Sequence, residues 1–230
     1  MTTGPAGTPA HAERGSRAAL SGVVFVVLFV VGYVLLERSP GLGAGDDELR
    51  EYLADPDRLR DSKVAGLYVI PLAGIAFMWF AVALRDRVVR AAGHEHPLLS
   101  GVQLIAATVF VTSMFAVGAA ELAVVWAAEA GTEGPPDPDA VRGVLAFGAT
   151  MAQVFTIRAA AVFVAVSTSR AHRAGLFPLW FTVVGFATAA GLLLASTTWR
   201  PVVLTIPAWV LATTWLVTTE RGNRPSPVSA

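Results

Sequence analysis

The chain has 230 residues, no cysteine, and 17 basic residues against 17 acidic ones. Only 15% of its residues are charged, well below the roughly 25% of a soluble domain, and the mean hydropathy is +0.60. A water-soluble globule is excluded, and with no thiol so are disulfides, thiolate metal sites and cysteine catalysis.

The first sixteen residues, 1–16, are rich in Gly, Pro, Ser and Thr and cannot bury a core, so a disordered cytoplasmic tail is expected there. Crossing a hydrocarbon core takes about 20 predominantly apolar residues in a helix, because every backbone polar group must be satisfied within the segment. Six stretches qualify, at about 18–36, 64–84, 99–126, 143–169, 175–196 and 201–219. They define an all-α, six-helix transmembrane domain over 17–220, followed by a second polar tail at 221–230.

Arg14 and Arg17 ahead of the first stretch also suit a secretory signal. The 19-residue apolar run exceeds a usual signal core, and its exit at Leu36-Glu37-Arg38 has no small-x-small cleavage site, so a retained anchor is expected. After the glycine-rich turn at 41–45, Asp46 suits the N-cap of a short helix with Leu49, Tyr52 and Leu53 on one side. Asp55-Pro56 forms a second N-cap and N1 pair, from which a helix can run into the second span. A short interfacial helix on the extracytoplasmic surface is the expectation. The alternating glycines are not a nucleotide fingerprint, since no strand precedes them.

Pro71, Pro178 and Pro207 fall inside the second, fifth and sixth stretches, where each removes a backbone hydrogen bond and favours a kink. The turn at 129–139 is acidic, and with the first loop it makes that face negative. No EF-hand pattern accompanies these acids, so a solvated charged surface is expected rather than a calcium site. In the fifth stretch, Gly185 and Ala189, and Ala187 and Gly191, make small-residue pairs that favour close helix packing.

Orientation follows from the loops. The four segments on one side carry nine basic residues and four acids, and the three on the other carry seven basic residues and twelve acids. Cytoplasmic loops are enriched in Lys and Arg, so both termini are expected in the cytoplasm. Trp79, Trp180 and Trp215 then fall near the inner interface and Trp126 and Trp199 near the outer one, with Trp209 at mid-span.

Two charges lie within spans, Glu121 in the third and Arg158 in the fourth. Each costs about 2.5 to 3.5 kcal/mol on insertion scales, which makes them the first candidates for function. At a rise of ~1.5 Å per residue, Glu121 lies about 10 Å and Arg158 about 22 Å below the outer helix ends. Arg158 is then level with Thr112 and Ser113, and Gln153 can bridge toward Glu121. The candidate intramembrane polar cluster is Glu121, Arg158, Gln153, Ser113 and Thr112. It reads as a packing cluster, with a solute or proton pathway as the alternative. His94, His96 and His172 belong to polar cytoplasmic turns and are not adopted as metal ligands, and no cofactor motif is found.

The run 158–169, then Arg173, Gly175, Pro178 and Trp180, and later 207–211, resembles a large group of uncharacterised multi-pass membrane proteins of GC-rich Gram-positive bacteria. Tyr52, Asp55 and 77–80 fit the same pattern. The resemblance implies a six-helix architecture in a bacterial cytoplasmic membrane and brings no activity, substrate or cofactor with it. The expected partners are the lipid bilayer and a second copy or another membrane protein, not nucleic acid. The functional expectation is a structural or interaction module rather than an enzyme, with a small solute or ion transporter as the alternative.

Overall fold

A computed structural model describes residues 10–41, 43–130, 136–194 and 200–219, with side chains for all of these but 10–19, 200 and 201. Among them every regular element is helical, with no strand. Helix α1 spans Ala10–Leu36, α2 Asp46–Ala54, α3 Pro56–Val64, α4 Ile70–Ala92 and α5 Pro97–Glu129. Helix α6 spans Pro138–Thr150, α7 Ile157–Arg173, α8 Leu179–Leu194 and α9 Thr205–Thr219. Two π-helical turns, Ala65–Val69 and Met151–Thr156, join α3 to α4 and α6 to α7 without a break. A 3-10 turn, Arg200–Leu204, leads into α9.

Four continuous helices are long and apolar enough to cross a membrane: Pro56–Ala92, Pro97–Glu129, Pro138–Arg173 and Val202–Thr219. Leu20–Leu36 and Leu179–Leu194 are apolar but shorter. α1 begins at Ala10, inside the segment expected to be a tail. The remainder of that tail at 1–9, the tail at 221–230, Leu42, most of the acidic turn at 131–135, and Trp199 with the end of the fifth stretch lie outside the described residues.

Local chemistry explains several boundaries. Asp55 caps α3 by accepting from the Asp57 and Arg58 amides at 3.0 and 3.2 Å, with Pro56 in the first turn, as the Asp-Pro pair predicted. Asp46 is not the cap of α2. Gly45 occupies that position without a side-chain bond, and Asp46, Asp47 and Glu48 fill the first turn, where their charges complement the amide end of the helix. Pro178 does not kink a helix, because α8 starts one residue later and the Pro178 carbonyl accepts the Thr182 amide at 3.0 Å. Pro207 lies in the first turn of α9, just after the 3-10 turn that leads into it. Pro71 is the second residue of α4, one position after the residue that follows the first π turn, whose longer hydrogen-bond step accommodates the interruption.

The core is aromatic and centred on Phe77 of α4. Its ring lies 4.5 Å from Phe110 of α5, 4.9 Å from Phe25 of α1 and 5.0 Å from Phe163 of α7, measured between centroids. Trp209 of α9 meets Phe163 edge-on, so rings from five helices converge at one level. Trp79, Trp126, Trp180 and Trp215 are exposed, whereas Trp209 is buried in this core. Around it, α1 packs on α4 and α9, α4 on α5, α5 on α6 and α7, and α7 on α8.

Two of these contacts depend on glycine. A β-carbon on Gly66 would stand 2.8 Å from the Gly118 carbonyl oxygen, so the first π turn meets α5 backbone to backbone. One on Gly185 would stand 2.4 Å from the Thr168 hydroxyl, which fixes how closely α8 approaches α7. Ala189 is buried with Gly185, while Ala187 and Gly191 face outward.

α2 folds back over the end of the bundle. Leu49 and Tyr52 are fully buried and pack with Ala44, Val124, Val141 and Leu145, so an amphipathic nine-residue helix roofs α5 and α6. Arg142 bonds both Asp139 and Asp46, Lys63 pairs with Glu129 at 2.7 Å, and Arg38 pairs with Asp61 at 2.6 Å. These pairs tie α2 to α6, α3 to α5, and the end of α1 to α3.

Candidate functional site

A cavity of about 170 Å³ lies between α1, α4, α5, α6 and the chain leading into α9. Its walls are mainly apolar, from residues such as Leu28, Phe29, Ile70 and Ile157. Glu121, Glu37, Ser39, Tyr33, Gln153 and Thr156 supply the polar atoms. Gln153 and Thr156 both belong to the second π turn. The wider π turn sets the two side chains toward the cavity, a geometry often found at functional sites.

Glu121 is partly buried and accepts the Ser39 hydroxyl at 3.0 Å on one carboxylate oxygen and 3.3 Å on the other. Tyr52 donates its hydroxyl to Ser62 at 2.8 Å, which ties α2 to α3. Burial pushes the Tyr52 phenol above its usual value, and the nearby Glu121 charge pushes in the same direction, against the Ser62 hydrogen bond.

The sequence-derived candidates separate into two groups. Glu121 and Gln153 line the same cavity. Arg158 is not among the lining residues: it is partly buried on a face of α7 between exposed Phe155 and Val162. Its guanidinium donates to the Val154 carbonyl at 3.2 Å, one turn back along its own helix. Ser113 donates to the Val109 carbonyl at 2.8 Å, and Thr112 is exposed. The expected bridge from Arg158 to α5 is thus not formed among the described residues. A membrane-embedded hydroxyl satisfies itself against its own i−4 carbonyl, so Ser113 needs no guanidinium partner.

A second polar network escaped the sequence reading. Gln103 of α5 is fully buried, donates to the Ser167 hydroxyl at 3.0 Å, and accepts a hydrogen bond from Arg170, which is only 5% exposed. Alongside it, Arg85 donates to both Ser100 and Glu95, and Ser100 donates to Glu95 at 2.6 Å. The Ser100 and Arg85 donors hold the Glu95 carboxyl below the usual carboxylate range. The available signal was Gln103, a polar amide within an apolar run. No group of three or more His, Cys, Asp or Glu able to hold a metal occurs among the described residues.

No family model, curated protein or solved structure matches the chain.

Proposed function

We propose that this chain is a six-span integral protein of a bacterial cytoplasmic membrane, with both termini cytoplasmic, serving as a structural or interaction module rather than an enzyme. The observation that carries the module reading is what the interior polar groups do. Ser39 with Glu121, Tyr52 with Ser62, Gln103 with Ser167 and Arg170 with Gln103 all join separate helices or tie the roof to the bundle. Such bonds specify a unique packing among helices that are otherwise uniformly apolar. The lipid bilayer, and a second copy or another membrane protein, are its partners on this reading. The resemblance to multi-pass proteins of GC-rich Gram-positive bacteria supports the same architecture.

The spans proposed beyond the four helices long and apolar enough to cross a membrane are α1 and α8. Their exposed faces carry large apolar side chains, including Leu20 and Val34 on α1 and Val183 and Leu194 on α8, which favour lipid over water. The alternation of loop charge supports the orientation. A second reading, a small solute or ion transporter, is favoured by one observation: Glu121 and Gln153 share a cavity beside a π turn.

Reporter fusions after Gly143 and at the C-terminus should lie on opposite sides of the membrane, and a C-terminal fusion exported from the cytoplasm would refute the six-span topology. Vesicles reconstituted with the full chain should hold ion and amine gradients as long as empty vesicles do. Leak that disappears in Glu121→Gln would replace the module reading with the transporter.

A further inference from the structure

Along α6 and α7, Phe147, Thr150, Phe155, Arg158 and Val162 follow one another in steps of three to five residues. The five-residue step falls on the second π turn, Met151–Thr156, so the side chains keep to one face of the continuous helix. Arg158 is half-buried on this face and the other four are exposed. The helix is long and apolar enough to cross a membrane, and Arg158 stands twenty residues from its start and fifteen from its end. At the helical rise per residue those ends are about 30 and 22 Å away. A guanidinium at such depth calls for a carboxylate. This chain brings none to it. Among the described residues no ion pair includes Arg158. Gly148 of α6 faces Ala120 of α5, so Arg158, ten residues further on, lies roughly 15 Å deeper than Glu121. Of the remaining acids, Glu13 stands near the start of α1, Glu133 precedes α6 and Glu220 follows α9, whereas Arg158 is in mid-helix; residues 195–199 contain no acid.

We propose that this face of α6 and α7 docks a transmembrane helix of another membrane protein that carries an Asp or Glu at mid-span. The carboxylate pairs with Arg158, and apolar side chains pack on Phe147, Phe155 and Val162. Charge complementarity selects this partner, because a guanidinium offers a planar fork of donors that a carboxylate matches. A second copy does not supply it. Its Glu121 lies at the wrong depth, and a symmetric pair sets Arg158 against Arg158. Lipid phosphates lie outside a hydrocarbon core about 30 Å thick, too far for a side chain at mid-depth.

The inference rests on the membrane reading and gives the interaction module a partner of defined chemistry. The probe is a lysine-flanked Leu-Ala peptide of about 20 residues, long enough to span, with one central Asp and a dansyl group. Mixed with the full chain in phosphatidylcholine vesicles, it is followed by energy transfer from the chain's tryptophans. The peptide should associate saturably. The same peptide with Leu in place of the Asp, or with the Asp moved two turns from the centre, should need at least about tenfold more peptide per lipid. Arg158→Leu should bring the Asp peptide to the level of the Leu peptide. Equal transfer from wild-type chain to the central-Asp peptide and to either control overturns the proposal, whether or not Arg158→Leu folds. Asp-peptide binding unchanged in a folded Arg158→Leu chain overturns it as well. Loss of that binding when phosphatidylglycerol replaces half the phosphatidylcholine assigns the guanidinium to a lipid phosphate, with the same result. A chain stripped from the vesicles by alkaline carbonate refutes the membrane reading and the inference with it; a chain retained there that does not distinguish the peptides refutes the inference alone.

Discussion

Ser39 and Glu121, 82 positions apart in sequence, are joined by a hydrogen bond of 3.0 Å. The bond anchors the short segment after α1 to the last third of α5 and sets the carboxylate at the cavity wall. Glu121 comes from an apolar helix and Ser39 from a loop, yet neither position can be understood without the other.

Ser39→Ala removes a donor from a partly buried carboxylate. Hydrogen bonds to charged groups contribute roughly 1.5 to 3 kcal/mol, so a loss of stability of that order is expected. Thermal or denaturant unfolding of the purified chain in one detergent measures it, and a variant as stable as the parent would show that Glu121 does not need Ser39.

Tyr52 adds a pH dependence. Its phenol titrates above the ordinary value of 10.0 in the folded chain, chiefly because burial disfavours the phenolate. Stability from this group is therefore fully present below pH 10 and is lost as pH rises from the unfolded value through the raised folded one. Tyr52→Phe should flatten that alkaline limb. It also leaves the buried Ser62 hydroxyl without the phenol, at a cost of about 1 kcal/mol at neutral pH. Melting temperatures across neutral to alkaline buffers separate the two effects.

Gly66→Ala tests the closest helix approach. The added methyl group meets the Gly118 carbonyl oxygen at 2.8 Å, and that atom is backbone, so the helices themselves must shift. Overpacking of this kind costs typically about 1 to 3 kcal/mol. Gly101→Ala serves as the control, because nothing lies within 4 Å of a β-carbon there. Equal melting temperatures for the two variants would contradict the packing account.

Arg158 tests the membrane directly. Among the described residues its guanidinium has a single hydrogen bond, to a carbonyl of its own helix, so an apolar replacement removes a charge without stranding a partner there. Arg158→Leu is expected to express and melt at or above the wild-type level, and Arg158→Glu to be destabilised. A large loss of stability in Arg158→Leu would point to a partner for the guanidinium in the membrane.

Membrane insertion is a transfer free energy summed over each segment, so apolar length, loop charge and the two in-span charges were legible from residues taken one stretch at a time. The Asp55-Pro56 cap is local for the same reason, since its bonds reach only two and three residues along the chain. Asp46 was misassigned as a cap because the preceding Gly45 competes for that position with equal local logic. Glu121 and Gln153 stood out as polar residues in apolar helices, but Ser39, Glu37 and Thr156 did not, being ordinary loop or span residues until the chain folds. Tertiary structure alone decided that Phe77 gathers rings from three other helices, that Gln103 holds Arg170, and that the second π turn lines a cavity. Helices that are apolar on every side carry no periodic signal of which face meets which neighbour. Their relative rotation is fixed by close-packed contacts such as Gly66 against Gly118, and those exist only between segments distant in sequence.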